Sequence, residues 1–146
     1  MVVAAALVLG LALPGCGGGS GGSTTSPAKA QFLQRANAVC AKALQNLDAA
    51  NQQAFGNHPG STSAVAAFVE HTLVPNVQSQ VNELRALKPP PGDAAAVNKI
   101  LDTAQADVNT AKQDPSTLAN NQPVFKDATQ LASDYGLEAC GSGNFF

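Results

Sequence analysis

A chain of 146 residues, 45% hydrophobic and only 12% charged, is long enough for one domain that buries about two-thirds of its unfolded surface. Eight Lys and Arg against ten Asp and Glu give a net charge of −2. That leaves no basic reservoir for nucleic acid and, with the apolar share, argues against disorder over most of the length. Three cysteines, two histidines, one tyrosine and no tryptophan supply few groups for metal binding, stacking or acid–base chemistry.

Residues 2–13, VVAAALVLGLAL, form an apolar run that stops at Pro14-Gly15-Cys16. About 12 residues are too few for a membrane-spanning helix of roughly 20 and suit the apolar core of a signal peptide. The tract that follows, GGGSGGSTTS, has the composition of a flexible tether. Leu13-Pro14-Gly15-Cys16 resembles the lipobox of bacterial lipoproteins, with an aliphatic residue at −3 and a small one at −1. The resemblance implies cleavage before Cys16, palmitate-type diacylation of its sulfur, and anchorage to the outer face of the cell membrane. The competing reading is an ordinary secretory signal that leaves Cys16 an unmodified thiol. The expected organisation is a signal peptide over 1–15, anchor and tether over 16–26, and a helical domain over 27–146.

With Cys16 set aside, Cys40 and Cys140 remain, an even number for an oxidising compartment. They are expected to form one disulfide tying the two ends of the domain together; two buried free thiols are the alternative.

The helical domain opens at Ser26-Pro27, an N-cap followed by proline at the first helical position. Phe32, Leu33, Ala36, Val39, Cys40, Ala43, Leu44 and Leu47 then recur at three- and four-residue steps along one helical face, until Gly56 and Pro59. A second segment starts near Ser61-Thr62 and carries Val65, Phe68, Val69, Leu73, Val77, Val81, Leu84 and Leu87 to Pro89-Pro90-Pro91. Pro75 lies inside it and should kink or divide the helix. Asp93 is expected to cap a third segment with Val97, Ile100, Leu101, Ala104, Val108 and Ala111, ending before Asp114-Pro115. A short turn over 116–120 leads to Pro123 and a last helix with Val124, Phe125, Ala128, Leu131, Ala132 and Tyr135. Gly136-Leu137 is the sequence of a Schellman stop. No stretch alternates with period two for long enough to make a strand. The pattern predicts an all-α fold, an up-down-up-down four-helix bundle. A last helix of about 15 residues, antiparallel to the first, would bring Cys140 level with Cys40. Abundant inward alanine lets helices approach closely and leaves little room for an internal pocket, while Gln45, Gln52, Gln78, Gln80 and Asn82 read as outward polar positions.

Candidate chemistry is sparse. Glu70 and His71 are adjacent and point about 100° apart on a helix, His58 sits in a Gly/Pro turn, and Cys40 and Cys140 lack neighbouring ligands at zinc spacing. No metal or other cofactor is therefore expected, and no catalytic residue is assigned, since neither a nucleophile elbow nor a phosphate loop is present. Asp102, Asp107 and Asp114 fall on the polar side of the third segment and read as a solvated face. Pro89-Pro90-Pro91-Gly92 reads as a stiff interhelix loop, with a polyproline ligand for an envelope partner as the alternative. Phe145-Phe146 should not stand in water; either they cover an apolar seam near Cys140 or they contact another protein.

Three short motifs then stand together: Arg35-Ala36-Asn37-Ala38-Val39-Cys40, Leu84-Arg85-Ala86-Leu87-Lys88-Pro89-Pro90, and Tyr135-Gly136-Leu137-Glu138-Ala139-Cys140-Gly141. In this the chain resembles small exported helical lipoproteins of high-GC Gram-positive (actinobacterial) bacteria, over roughly residues 28–141. The resemblance implies the helical fold, the disulfide and an extracytoplasmic location, and transfers no catalytic or binding residue. The expected function is that of a monomeric, non-catalytic binding or interaction module. It would be held to the membrane by a lipid anchor, would face an envelope protein partner and would not bind nucleic acid. The alternative is a carrier or sensor for a small apolar or haem-like ligand, for which Phe32, Phe68, Phe125 and Tyr135 should line one cavity.

Overall fold

The computed structural model of the chain describes residues 25–120 and 123–142. The stretch 1–15 expected to be a signal peptide, Cys16 expected to be lipidated, the expected tether as far as residue 24, and Phe145 and Phe146 lie outside the described residues. Within them every regular element is helical. The elements are α1 (Pro27–Phe55), α2 (Thr62–Phe68), a π-helical turn (Val69–Leu73), α3 (Val74–Arg85), α4 (Ala94–Gln113), α5 (Ser116–Ala119), α6 (Lys126–Tyr135) and α7 (Glu138–Gly141).

Local chemistry accounts for most boundaries. Ser26 Oγ accepts the Lys29 N–H at 3.2 Å with Pro27 at the first helical position, the preorganised start expected for α1. Ser61 does the same for α2, accepting from the Ala64 N–H at 3.3 Å. α6 ends in a Schellman motif: Gly136 takes φ 101°, its N–H bonds the Ser133 carbonyl at 3.0 Å, and the Leu137 N–H bonds the Ala132 carbonyl at 2.9 Å.

Pro75 divides the second helical segment, though by a widened turn and not a break. Proline lacks the N–H that would bond four residues back, and its ring crowds that carbonyl. The π turn immediately before it relieves the crowding. The same turn answers a register problem. Val69, Leu73, Val77 and Val81 recur every fourth residue, which drifts about 40° per step on an ideal helix, and the wider turn lets all four remain in the core.

Four local expectations need correction. Asp93 does not cap α4 with its side chain: its backbone is already helical (φ −96°, ψ −1°), and its carboxylate is taken by Tyr135, as described below. Residues 116–119 form a short helix, not a turn, because Asp114 Oδ1 accepts the Ser116 N–H at 3.0 Å and starts α5. The last helix spans 10 residues, not about 15, so Cys140 belongs to the separate α7, which follows the Gly136 stop. Gln80 is buried (2% exposed) instead of facing outward, since it lies beside Val77, Val81 and Leu84 on the inner side of α3.

The long helices pack in sequence: α1 against α3, α3 against α4, and α4 against α6, while α7 returns from α6 onto α1. α2 packs on α5. The core runs through this ring. Ala36, Ala104, Ala111, Ala128 and Ala132 are wholly buried, so backbones approach closely, as inward alanine predicts. Phe125 and Leu137 are among the largest fully buried side chains. Across the α3–α4 seam Gln78 and Gln105 exchange reciprocal amide hydrogen bonds of 2.8 and 2.9 Å. Arg85 pairs with Asp102 at 2.8 Å on the surface, where such a pair is worth about 0–1 kcal/mol.

Candidate functional site

Near the middle of α1 the bundle is held by a clasp. Cys40 and Cys140 form the expected disulfide, with Cα atoms 5.1 Å apart and a sequence separation of 100. One turn before Cys40 on the same face of α1, Asn37 grips the turn that leads into α7. Its Oδ1 accepts the Ala139 N–H at 2.9 Å and its Nδ2 donates to the Gly136 carbonyl at 3.4 Å. A side chain at Gly141 would place its Cβ 2.7–2.9 Å from atoms of Ser133, two of them backbone, so only glycine lets α7 fold back on α6. Leu137 fills the space beneath (2% exposed).

Beside the clasp, Tyr135 Oη donates to Asp93 Oδ2 at 2.7 Å. Lys29 Nζ lies 3.6 Å from the same carboxylate oxygen and 4.1 Å from the centre of the Tyr135 ring. Burial first, then the hydrogen bond to Asp93 and its negative charge, push the phenol well above its ordinary range. Phe32 meets Tyr135 edge to face at 6.2 Å. The Pro-rich segment closes over this region. Pro90 is buried, its carbonyl accepts the Asp93 N–H at 3.1 Å, and Gly92 has φ 89°, the pattern of a type II turn with Pro91 and Gly92 at its centre. The loop reading of Pro89-Pro90-Pro91-Gly92 fits this geometry. A shallow hollow of 320 Å³ lies between Phe32, Arg35, Leu87 and the prolines.

Beyond the clasp, toward the C-terminal end of α1, lies a groove of 810 Å³ bordered by the last part of α1, the 56–60 turn, α2, the π turn, α5 and Ser142. Its walls mix apolar side chains, among them Leu44, Phe55, Val65, Phe68 and Leu118, with nearly as much polar surface, to which Asp48, Asn51 and His58 belong. Phe55 and Phe68 form an edge-on pair at 5.3 Å. Gly60 lies directly against the Phe55 ring, with no room for a Cβ unless the ring moves. Neither α2 nor α5 buries a residue fully, so this end has partly covered apolar side chains where the clasped end has a sealed core. The groove went unrecognised in the sequence; the available signal was Val65 and Phe68 on a helix too short to bury them.

The four aromatic residues that the carrier alternative requires around one cavity are not all brought together. Phe32 and Tyr135 pair at the clasped end, Phe68 lies in the distant groove, and Phe125 is sealed in the core (2% exposed).

Asp107 departs from the solvated face assigned to it. It is half-buried, and its Oδ2 is shielded from water with no hydrogen-bond partner among the described residues. Burial, then repulsion from Asp127 on α6, push its carboxyl up to about 6. Asp102 and Asp114 are exposed. His58, Glu70 and His71 are exposed as well, and among the described residues no three His, Cys, Asp or Glu side chains come together as metal ligands. No described helix is long and apolar enough to cross a membrane.

No protein-family model, curated protein or solved structure matches the chain. The clasp and the groove therefore carry the functional reading on their own chemistry.

Proposed function

We propose that the chain is a cell-envelope lipoprotein, anchored through Cys16 to the outer face of the membrane, whose helical domain is a non-catalytic binding module. In this reading the ring of α1, the α2–α3 segment, α4 and α6–α7 is an up-down-up-down four-helix arrangement, favoured by short connections and by packing between consecutive long helices. The observation that carries the reading is the placement of the groove. α1 begins right after the tether, and at 1.5 Å per residue Leu44 and Phe55 stand about 26 and 42 Å along it. A protein held at residue 16 would present the groove away from the membrane, at the end an envelope partner can reach. Its volume, 810 Å³, and its mixture of apolar and polar walls suit a recognition groove. The disulfide supports export, since such bonds persist in oxidising compartments.

Two measurements test this. Intact mass of protein extracted from membranes should give a diacylated Cys16 N-terminus; an unacylated product in the medium overturns the anchor. A photo-crosslinker at Val65 in the native envelope should capture one defined protein that a crosslinker at Ala95, near the tether end, does not. Equal capture from both positions, or none, overturns the binding face. A second reading, a carrier for a small apolar or haem-like ligand, is favoured by the groove volume and by His58 beside it. It requires a ligand to co-purify under non-denaturing mass spectrometry.

A further inference from the structure

We propose that the groove beside α2 and α5 binds a small amphiphilic cation, an aromatic body carrying one protonated amine, with Asp48 as counter-ion and Phe55 and Phe68 as the seat for the body. This rests on the reading of the groove as the binding face and adds the chemistry of its occupant. α1 turns one stripe toward the groove: Leu44, Asp48, Asn51 and Phe55 all border it, at the three- and four-residue steps that keep side chains on one face of a helix. Asp48 is the only acidic residue on that border, and among the described residues no Lys or Arg shares it. Nor does Asp48 have a hydrogen-bond or ion-pair partner among the described residues, whose ion pairs lie elsewhere, at Asp93 and Asp102. A carboxylate set alone in a concave wall beside apolar side chains attracts a cation and repels an anion.

The geometry shapes the ligand. Phe55 and Phe68 meet at 61° with ring centres 5.3 Å apart, a corner in which a third ring finds the edge-to-face contacts aromatic groups prefer. Gly60 lies against the Phe55 ring, so the 56–60 turn backs that side of the corner. Asp48 and Phe55 are two turns apart on α1, about 10 Å along its axis, and both side chains lean toward the start of the helix. A molecule that meets both therefore holds its ammonium about 10 Å from the ring corner, a span that a short alkyl chain covers. An uncharged apolar guest would cover Asp48 and Asn51 without giving them partners, which costs free energy, whereas an ammonium brings three donors. The volume of 810 Å³ lies in the range of small-molecule sites, which favours a small ligand over a segment of another protein.

The test uses the full chain purified in detergent, with the Cys40–Cys140 bridge verified by mass as the check on folding and protein-free micelles as the blank. Amide chemical shifts are followed during titration with phenylbutylammonium, phenylbutanol and phenylbutyrate, which share a ring and a similar spacer and differ in charge. The titrations are run at pH 8, above the range in which imidazoles ordinarily titrate. The ammonium should shift amides between Asp48 and Phe68 and bind about fivefold tighter than the alcohol, the upper range for an exposed ion pair, and the anion should bind weakest. Added salt should shrink that preference. Asp48→Asn should remove it, bringing the ammonium level with the alcohol, while Phe68→Leu should weaken all three alike. An alcohol that binds as tightly as the ammonium, or a preference that survives Asp48→Asn, overturns the cation site and leaves a binding groove. If none of the three shifts groove amides while the Val65 crosslinker captures one defined partner, the occupant is a protein segment; the inference falls and the binding face stands. No shift and no capture overturn both.

Discussion

Asp107 is the residue at which the helical packing works against the ordinary charge state of a side chain, so its replacement gives a signed prediction. Its carboxyl titrates at about 6 in place of 3.8, chiefly through burial and secondarily through Asp127. In the native state it therefore holds a proton that the unfolded chain has already lost. Below pH 4 both states are protonated, and Asp107 adds no net penalty. Between pH 4 and 6 the native state binds more protons than the unfolded one, so stability falls as pH rises. Above pH 6 both are ionised and the full penalty is present. A displacement of about two pH units corresponds to about 3 kcal/mol without screening. The residue is only half-buried, and solvent screening brings the expected figure to about 1 kcal/mol.

Asp107→Asn keeps the shape and removes the charge. The variant is expected to be more stable than the parent by about 1 kcal/mol at pH 7.5 and no more stable than it at pH 4. With a urea dependence of about 2 kcal/mol per molar, the midpoint should rise by about 0.5 M at pH 7.5. Urea titrations followed by far-UV circular dichroism, with the disulfide intact and pH stepped from 4 to 8, measure this directly. A variant less stable than the parent at pH 7.5 would refute the reasoning, and so would a difference that does not change with pH. Asp127→Asn should reproduce part of the effect, because it removes only the weaker cause.

Reduction of the disulfide, or Cys40→Ala with Cys140→Ala, should cost up to about 4.7 kcal/mol, the chain-entropy value for a 100-residue loop. Denaturant titrations of oxidised and reduced protein read this, and a loss below about 1 kcal/mol would show that the clasp holds without its bridge. Asn37→Ala leaves the Ala139 N–H and the Gly136 carbonyl without their partner. It should cost about 2 kcal/mol and speed reduction of the bridge by a soluble dithiol, whereas an unaltered reduction rate would separate Asn37 from the clasp. Tyr135 is the sole tyrosine of the chain, so absorbance at 295 nm reports it alone. No phenolate should form near its ordinary 10.0 while the protein is folded. Stability should fall as pH rises past that value, because the native state keeps a proton that the unfolded chain gives up. A clean transition at pH 10 in folded protein would contradict the buried Tyr135–Asp93 bond.

The sequence showed the helices through signals that are local and redundant: the Ser26-Pro27 start, the Gly136-Leu137 stop, and apolar faces repeated over several turns. The disulfide followed from parity and compartment, which require no knowledge of packing. Features that depend on which helix faces which were less legible. Asp93 in front of a helix carries the usual cap signature, yet the hydroxyl of Tyr135, 42 residues away in sequence, takes its carboxylate. Asp107 looks like one more polar residue on an amphipathic helix, and only the approach of α6 with Asp127 makes it costly. Asn37 is likewise unmarked until the 136–139 turn is brought against it. The groove is hidden for a related reason. It is an absence of cover over Val65 and Phe68, and a periodicity count treats those residues as core whether or not anything lies above them.

These differences in cover divide the molecule into a firmly held end and a loosely held one. At the clasped end a covalent bridge, the two Asn37 hydrogen bonds, the Tyr135–Asp93 bond and the fully buried Ala36, Cys40 and Cys140 must all give way together for local opening. At the groove end α2 and α5 pack on each other with no fully buried residue in either, so opening them exposes little new apolar surface. Local opening free energies follow buried contacts and range from near zero to the global value. Amide hydrogen exchange should therefore be fastest among the helices at residues 62–68 and 116–119. It should be slowest around Ala36–Cys40 of α1 and Ile100–Val108 of α4, where exchange should need global unfolding. Protection factors in α2 equal to those around Cys40 would refute this gradient. A steep gradient would mean that the groove can rearrange around an incoming group while the clasped half of α1 stays rigid.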